Sequence, residues 1–129
     1  MVLSSAGHPG PVLVRPDGRT RRLQGGGLPL GIFPDAMPAT QEIVLEPGDV
    51  LFLYTDGLTG ACGPNMVYFE DRLTDELAAL ASQPCTTLIT RVRELALEFC
   101  RGELRDDMTM LAVRAGEPPA ARAGGSPVS

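Results

Sequence analysis

Five consecutive apolar residues, Val50-Leu51-Phe52-Leu53-Tyr54, stand between Glu46-Pro47-Gly48-Asp49 and Thr55-Asp56-Gly57. An unbroken apolar run of strand length, closed by turn residues at both ends, reads as a strand buried on both faces. Pro47-Gly48 at the centre of the preceding tetrapeptide fits a type II turn, where only glycine enters positive φ without cost. Glu42 to Leu45 lies just before that turn, so the spacing predicts a hairpin of Glu42–Leu45 with Val50–Tyr54.

The remaining punctuation suggests how this strand is surrounded. Val12–Val14 and Arg21–Leu23 flank Pro16-Asp17-Gly18, a turn tripeptide, and predict a first hairpin. Residues 28–38 hold three Pro and one Gly and read as an extended loop. Leu73, Leu77 and Leu80 recur at i, i+4 and i+7, which predicts an amphipathic helix over Glu70 to Ala81. Pro84 breaks the chain, and Thr86 is placed to cap a second helix from about Thr87 to Cys100. Its apolar face is Leu88, Ile89, Val92, Leu95, Ala96 and Phe99. A last strand, Thr109 to Val113, follows the polar run Glu103 to Asp107. Strands, two helices and a strand in this order predict an α+β fold of layered sheet and helix. Residues 115–129 are rich in Gly, Pro, Ala and Ser and are expected to be a disordered tail.

Composition removes several classes of function. The 129 residues carry 11 basic groups, all Arg, against 16 acids, for a net charge of −5. That balance argues against a nucleic-acid partner, which needs a cationic face. The acids concentrate in residues 35–82, where nine face a single Arg. No apolar run approaches a membrane span, and no secretion signal is visible. Cys62, Cys85 and Cys100 have no CxxC spacing, so free thiols in a reducing, cytoplasmic compartment are expected.

Two places could carry chemistry. Asp56 closes the most buried strand and precedes Gly57, which lets backbone approach a ligand closely. A carboxylate shielded there needs a cation or donors, or it simply caps the turn. Asp106-Asp107 precedes the last strand, and adjacent carboxylates need water, Arg or a metal ion. A solvated loop held by Arg105 is the plainer reading. If the two strands pair, the carboxylates converge, and an oxygen-only set suits Mg²⁺ or Mn²⁺ better than zinc. His8, in a Gly/Pro loop, is either a general acid or ligand, or bonds its own loop. No nucleophile elbow marks a Ser/His/Asp triad, and nothing cationic beside Cys62 activates its thiol.

Five short motifs occur in a telling order. They are Ser5-Ala6-Gly7-His8-Pro9-Gly10-Pro11, Gly27-Leu28-Pro29-Leu30-Gly31, Leu45-Glu46-Pro47-Gly48-Asp49, Tyr54-Thr55-Asp56-Gly57-Leu58-Thr59 and Asp106-Asp107-Met108-Thr109. Together they resemble the metal-dependent protein serine/threonine phosphatases (PPM), in the SpoIIE/RsbU-type bacterial branch, over about residues 3–114. The resemblance implies part of an αββα sandwich, antiparallel sheets with a helix pair. It also implies a two-metal Mn²⁺ or Mg²⁺ site, with Asp56 and Asp106 as ligands and Gly57 and Asp107 as secondary candidates beside them. No side chain would be catalytic beyond a metal-bound water or hydroxide that attacks phosphorus while the metals neutralise phosphate charge. The substrate implied is a phosphorylated regulatory protein, of the anti-sigma-factor antagonist type, in stress or developmental signalling.

The family's upstream strand with its Asp-Gly, and its Gly-His-Gly helix start, have no counterpart in the sequence. The matched part is therefore expected to be the C-terminal portion of the domain, 1–114, without the bridging ligand. Weak or absent activity and an exposed apolar sheet face that favours self-association are expected with it. The alternative is a non-catalytic regulatory or binding module derived from the same fold. A haloacid-dehalogenase-like phosphatase built on Asp56 is disfavoured, because that chemistry wants an Asp where this chain has Tyr54.

Overall fold

The computed structural model describes residues 1–116. The expected disordered tail, 115–129, lies outside the described residues from 117 onward. Among the described residues there are six strands, three α-helices and a short 3-10 turn, Pro64–Met66. The strands are β1 (Val2–Ser5), β2 (Val12–Val14), β3 (Thr20–Arg22), β4 (Ala39–Glu42), β5 (Val50–Tyr54) and β6 (Met110–Arg114). The helices are α1 (Asp56–Thr59), α2 (Glu70–Ala79) and α3 (Cys85–Phe99). The fold is mixed, with antiparallel sheets and a helix pair, as the sequence predicts.

A four-stranded antiparallel sheet runs β3-β2-β5-β6. The apolar run β5 lies inside it, with Val50, Leu51, Phe52 and Tyr54 buried. On one face Val12, Val14, Val50, Phe52 and Tyr54 meet Leu73 and Leu77 of α2 and Leu88, Val92 and Ala96 of α3. These helix positions are the ones their 3.6-residue period selects. On the other face Leu13 and Leu51 pack with Leu23 and Ile43, and Leu3, Leu45 and Leu53 are partly buried against them.

The second expected hairpin does not form. The Glu46–Asp49 turn is present, with Gly48 at φ +87° and the Asp49 N–H donating to Glu46 O at 3.0 Å. However, β4 pairs with β1 in a separate two-stranded ribbon, and β5 pairs with β2 and β6. The turn residues are bound elsewhere. Gly48 N–H donates to Ala115 O, and Ala115 N–H to Asp49 O, so the chain leaving the turn is aligned with β6. Asp49, fully buried, accepts from the Glu46 N–H at 2.8 Å and pairs with Arg15. That pair ties the turn to the end of β2.

Boundaries shift in instructive ways. Helix α3 begins at Cys85 with Pro84 as its N-cap and no side-chain cap bond. Thr86 therefore lies inside the first turn, where its carbonyl accepts from the Thr90 hydroxyl. Proline's fixed φ suits it to helix starts, so Pro84 opens α3 instead of only breaking the chain. The abrupt end of β5 is followed by a short helix, α1, which the sequence reading treats as a turn.

The ribbon β1–β4 covers only part of the outer sheet face. Leu111 and Val113 of β6 pair with Leu53 and Leu51 and share their face, yet remain 57% and 47% exposed. Among the described residues no helix is long and apolar enough to cross a membrane. Cys62, Cys85 and Cys100 are free.

Candidate metal centre

The Thr-Asp-Gly end of β5 and the Asp-Asp loop before β6 are brought together by pairing of their strands. Tyr54 is opposite Met110, the last register pair. Beyond it, Thr55 sews the two segments with three bonds. Its N–H donates to Thr109 O at 3.0 Å, its hydroxyl donates to Asp107 O at 3.2 Å and accepts from Thr109 N–H at 3.0 Å. Thr55 has no place in the sequence reading of the site, although it opens the Thr-Asp-Gly motif. The signal was the motif itself: a hydroxyl at a strand end can hold a neighbouring loop that backbone pairing no longer reaches.

Gly57 makes the approach possible. A Cβ placed on it would lie 2.0 Å from Asp107 O and 3.1 Å from Asp106 O. Its φ is not in the left-handed region, so space, not conformational freedom, demands glycine here. The two backbones therefore touch at the position where the sequence anticipates close approach of a ligand.

The carboxylates themselves differ from expectation in one respect. Asp56 is exposed, not shielded, because it starts α1 at the sheet's rim. Asp106 and Asp107 are exposed too, and they lie in a loop before β6. Asp106 Oδ1 accepts the Asp107 N–H at 2.8 Å. Arg105 does not hold them: among the described residues none of the three carboxylates enters an ion pair. Unpaired carboxylates at one rim are the donor chemistry that a hard divalent ion takes. Among the described residues, however, no cluster of three or more His, Cys, Asp or Glu side chains has metal-holding geometry. By chemistry the three carboxylates are oxygen donors of the kind such an ion takes, and by themselves they do not make a complete donor set.

His8 stands apart. Its Nδ1 lies 3.0 Å from Pro9 O, and its backbone bridges Gly26, whose N–H donates to His8 O at 2.8 Å. The Ser5 hydroxyl also donates to His8 O. These bonds fit the loop-bonding reading. Tyr54, the last residue of β5 and two before Asp56, donates its hydroxyl to Gly10 O at 2.8 Å and so links this loop to the sheet. Burial pushes the Tyr54 phenol above its ordinary value, with smaller opposed effects of Arg22 and Glu70.

Comparison with known proteins identifies relatives of the chain. The sequence profile of the family Stage II sporulation protein E (SpoIIE) matches residues 1–116. Protein IcfG of Synechocystis sp. is 30% identical over 111 residues, covering 84% of this chain and 17% of that protein. The RsbU and RsbW domains of Rv1364c from Mycobacterium tuberculosis superpose with a TM-score of 0.71 at 33% identity, over 91% of this chain and 33% of theirs. The PP2C phosphatase domain of SpoIIE from Bacillus subtilis, with a fragment of its regulatory domain, gives 0.75 at 18% identity, over 92% and 34%. The SiaA-PP2C domain of Pseudomonas aeruginosa gives 0.72 at 24% identity, over 88% and 46%. The last two are likenesses of fold alone. The chain thus spans about a sixth of the curated relative's length and under half of these solved chains. With the profile match running through all the described residues, the chain belongs to the SpoIIE/RsbU-type branch of the PPM (PP2C) protein phosphatase family.

Proposed function

We propose that this chain supplies part of the site for metal-dependent hydrolysis of phosphoserine or phosphothreonine on a regulatory protein in the bacterial cytoplasm. The anti-sigma-factor antagonist type of substrate belongs to the same proposal. The observation that carries it is the Thr55 bridge, which holds Asp56 beside the Asp106–Asp107 loop. Asp56 and Asp106 are the proposed ligands of Mn²⁺ or Mg²⁺, with Asp107 and the Gly57 backbone beside them. When bound, such an ion supplies an activated water and neutralises phosphate charge. The protein's own part is positional. Thr55 fixes the spacing of the two loops, and Gly57 keeps it short.

The donor set of the described residues supports a second element of the proposal: the 129-residue chain alone turns over phosphoserine peptides weakly or not at all. Loss of the free Mn²⁺ electron paramagnetic resonance signal measures binding directly. Asp56→Asn and Asp106→Asn should each weaken Mn²⁺ binding about tenfold, as loss of one charged ligand does. Affinity unchanged by either substitution refutes the ligand assignment. Robust Mn²⁺-dependent hydrolysis of a phosphoserine peptide by the chain, abolished by Asp56→Asn, refutes the weak-activity element.

A non-catalytic binding module is the second reading, favoured by the absence of a three-donor cluster among the described residues. It expects no Mn²⁺ response at all. The uncovered strip at Leu111 and Val113 also supports self-association through the outer sheet face. Sedimentation should show oligomers that Leu111→Asp disperses; a concentration-independent monomer counts against it.

A further inference from the structure

A cavity of about 420 Å³ lies between the loop after α1 and the end of α3, and it includes none of the candidate metal ligands. Its volume falls in the range of ligand pockets. One wall is a narrow hairpin-like loop. Phe69 N–H donates to Ala61 O and Gly63 N–H to Val67 O, leaving Pro64, Asn65 and Met66 at the tip. The other wall is Phe99 and Cys100, with Arg101 just beyond. The walls are fitted to each other: a Cβ on Gly63 would meet Phe99 O at 3.0 Å and two Phe99 ring carbons at 3.1 Å.

Backbone geometry singles out the same place. Among the described residues three non-glycine positions have positive φ: Asn65 (61°), Met66 (59°) and Arg101 (55°). All three line this cavity. Asn65 adopts that region readily, and Arg101 does so just past the end of α3, where its N–H donates to Glu98 O at 3.2 Å and the Gly102 N–H donates to Leu97 O at 2.8 Å; of the three, Met66 alone has no such local reason. An outlier such as Met66 persists where its surroundings over-determine it, and such residues cluster at binding sites.

The chemistry of the lining is two-sided. Met66, Phe99, Cys62 and Cys100 contribute the apolar part of the lining. Arg101, Glu103 and Arg105 also line it, and neither guanidinium enters an ion pair among the described residues. Arg105 also lines the adjoining depression formed with Asp106 and Asp107. A ligand engaged at the Asp106–Asp107 loop therefore finds this cavity next along the surface, across a single arginine.

We propose that the cavity is a docking subsite for a segment of the protein substrate in which an apolar side chain precedes carboxylates. The apolar group seats on Met66 and Phe99, and the carboxylates meet Arg101 and Arg105. The cavity stands on its own geometry; calling its occupant the substrate rests on the phosphatase reading.

The test uses the 129-residue chain, with EDTA and no phosphate, and a fluorescein-labelled peptide Gly-Leu-Glu-Asp-Gly followed by anisotropy. The peptide should bind. Its Gln-Asn counterpart and its leucine-free counterpart should bind more weakly. Arg101→Gly and Arg105→Gln should each weaken binding about tenfold, the loss of one charge-assisted contact. Glycine accepts the left-handed backbone at 101, so Arg101→Gly removes the guanidinium without adding strain. Arg93→Gln, the same change of charge beside the Asp106 depression, should leave binding unchanged. No binding, equal binding of the uncharged peptide, or equal loss in Arg93→Gln each overturns the subsite. Peptide binding as expected, with Mn²⁺ affinity insensitive to Asp56→Asn and Asp106→Asn, instead keeps the subsite and removes the phosphatase reading.

Discussion

Replacing Gly57 by alanine adds one methyl group where two backbones touch. The new Cβ would sit 2.0 Å from Asp107 O and 2.6 Å from Asp107 C, against 3.4 Å or more for an ordinary contact. Neither obstacle is a side chain that can swing aside, so well over an ångström must come from the loop or from α1. The loop is held by the three Thr55 bonds, and moving it breaks them. At about 1 kcal/mol each they amount to roughly 3 kcal/mol. Residual overpacking adds about 1–3 kcal/mol. Alanine's better helix propensity in α1 returns about 1 kcal/mol. The clash wins, with a net loss of about 3–5 kcal/mol, a large part of the total stability of a domain this size. Circular dichroism melts should show Tm lowered by about 10 °C or more. Mn²⁺ affinity should fall with it, because Asp56 and Asp106 separate. Gly116→Ala, whose Cβ meets nothing within 4 Å, is the control and should stay within about 0.5 kcal/mol. A Gly57→Ala protein with unchanged Tm and unchanged Mn²⁺ affinity refutes the argument that this contact sets the spacing of the site.

Other expectations follow from single features. Asp49→Ala removes the buried acceptor of the Glu46 N–H and the partner of Arg15. It should cost about 3 kcal/mol in urea denaturation, at the low end for a buried pair because Arg15 can reach water. Met66→Gly should raise stability by about 1 kcal/mol, since glycine enters the left-handed region freely, and the same melts check it. Tyr54→Phe should lose about 1 kcal/mol at neutral pH with the bond to Gly10 O. It should also change the alkaline limb. Burial raises the Tyr54 pKa above the ordinary 10.0. The folded state then holds its proton more tightly, and stability falls only as pH rises beyond about 10. That part of the alkaline fall should vanish in Tyr54→Phe.

Periodicity carried the layers well. Leu73, Leu77, Leu88, Val92 and Ala96 are all buried against the sheet, as their spacing requires. Val50–Tyr54 is the buried central strand that its unbroken apolarity implies. Strand partners were less legible. A Pro-Gly turn fixes a local reversal, but it does not state which strand β5 joins, and the Asp49–Arg15 pair that redirects it spans 34 residues. At the site, the motifs marked Asp56 and Asp106, while exposure and the Thr55 bridge depended on pairing between residues more than 50 apart. The cavity beside α3 left no periodic signal. Of its positive-φ residues, Met66 carries no turn signature, whereas Arg101 stands just past the end of α3, before Gly102.

The place of β6 in the sheet has a kinetic consequence. β5 emerges, during synthesis, some fifty residues before the strand that closes its outer edge, with both longer helices made in between. Loop closure over that distance is entropically costly, and non-local strand pairing is slow. Helices α2 and α3 can form while β5 is still open on that side. Arrival of β6 then completes the sheet and, in the same step, carries Asp106 to Asp56. During synthesis the candidate centre can therefore be completed only once β6 has been made and has paired with β5.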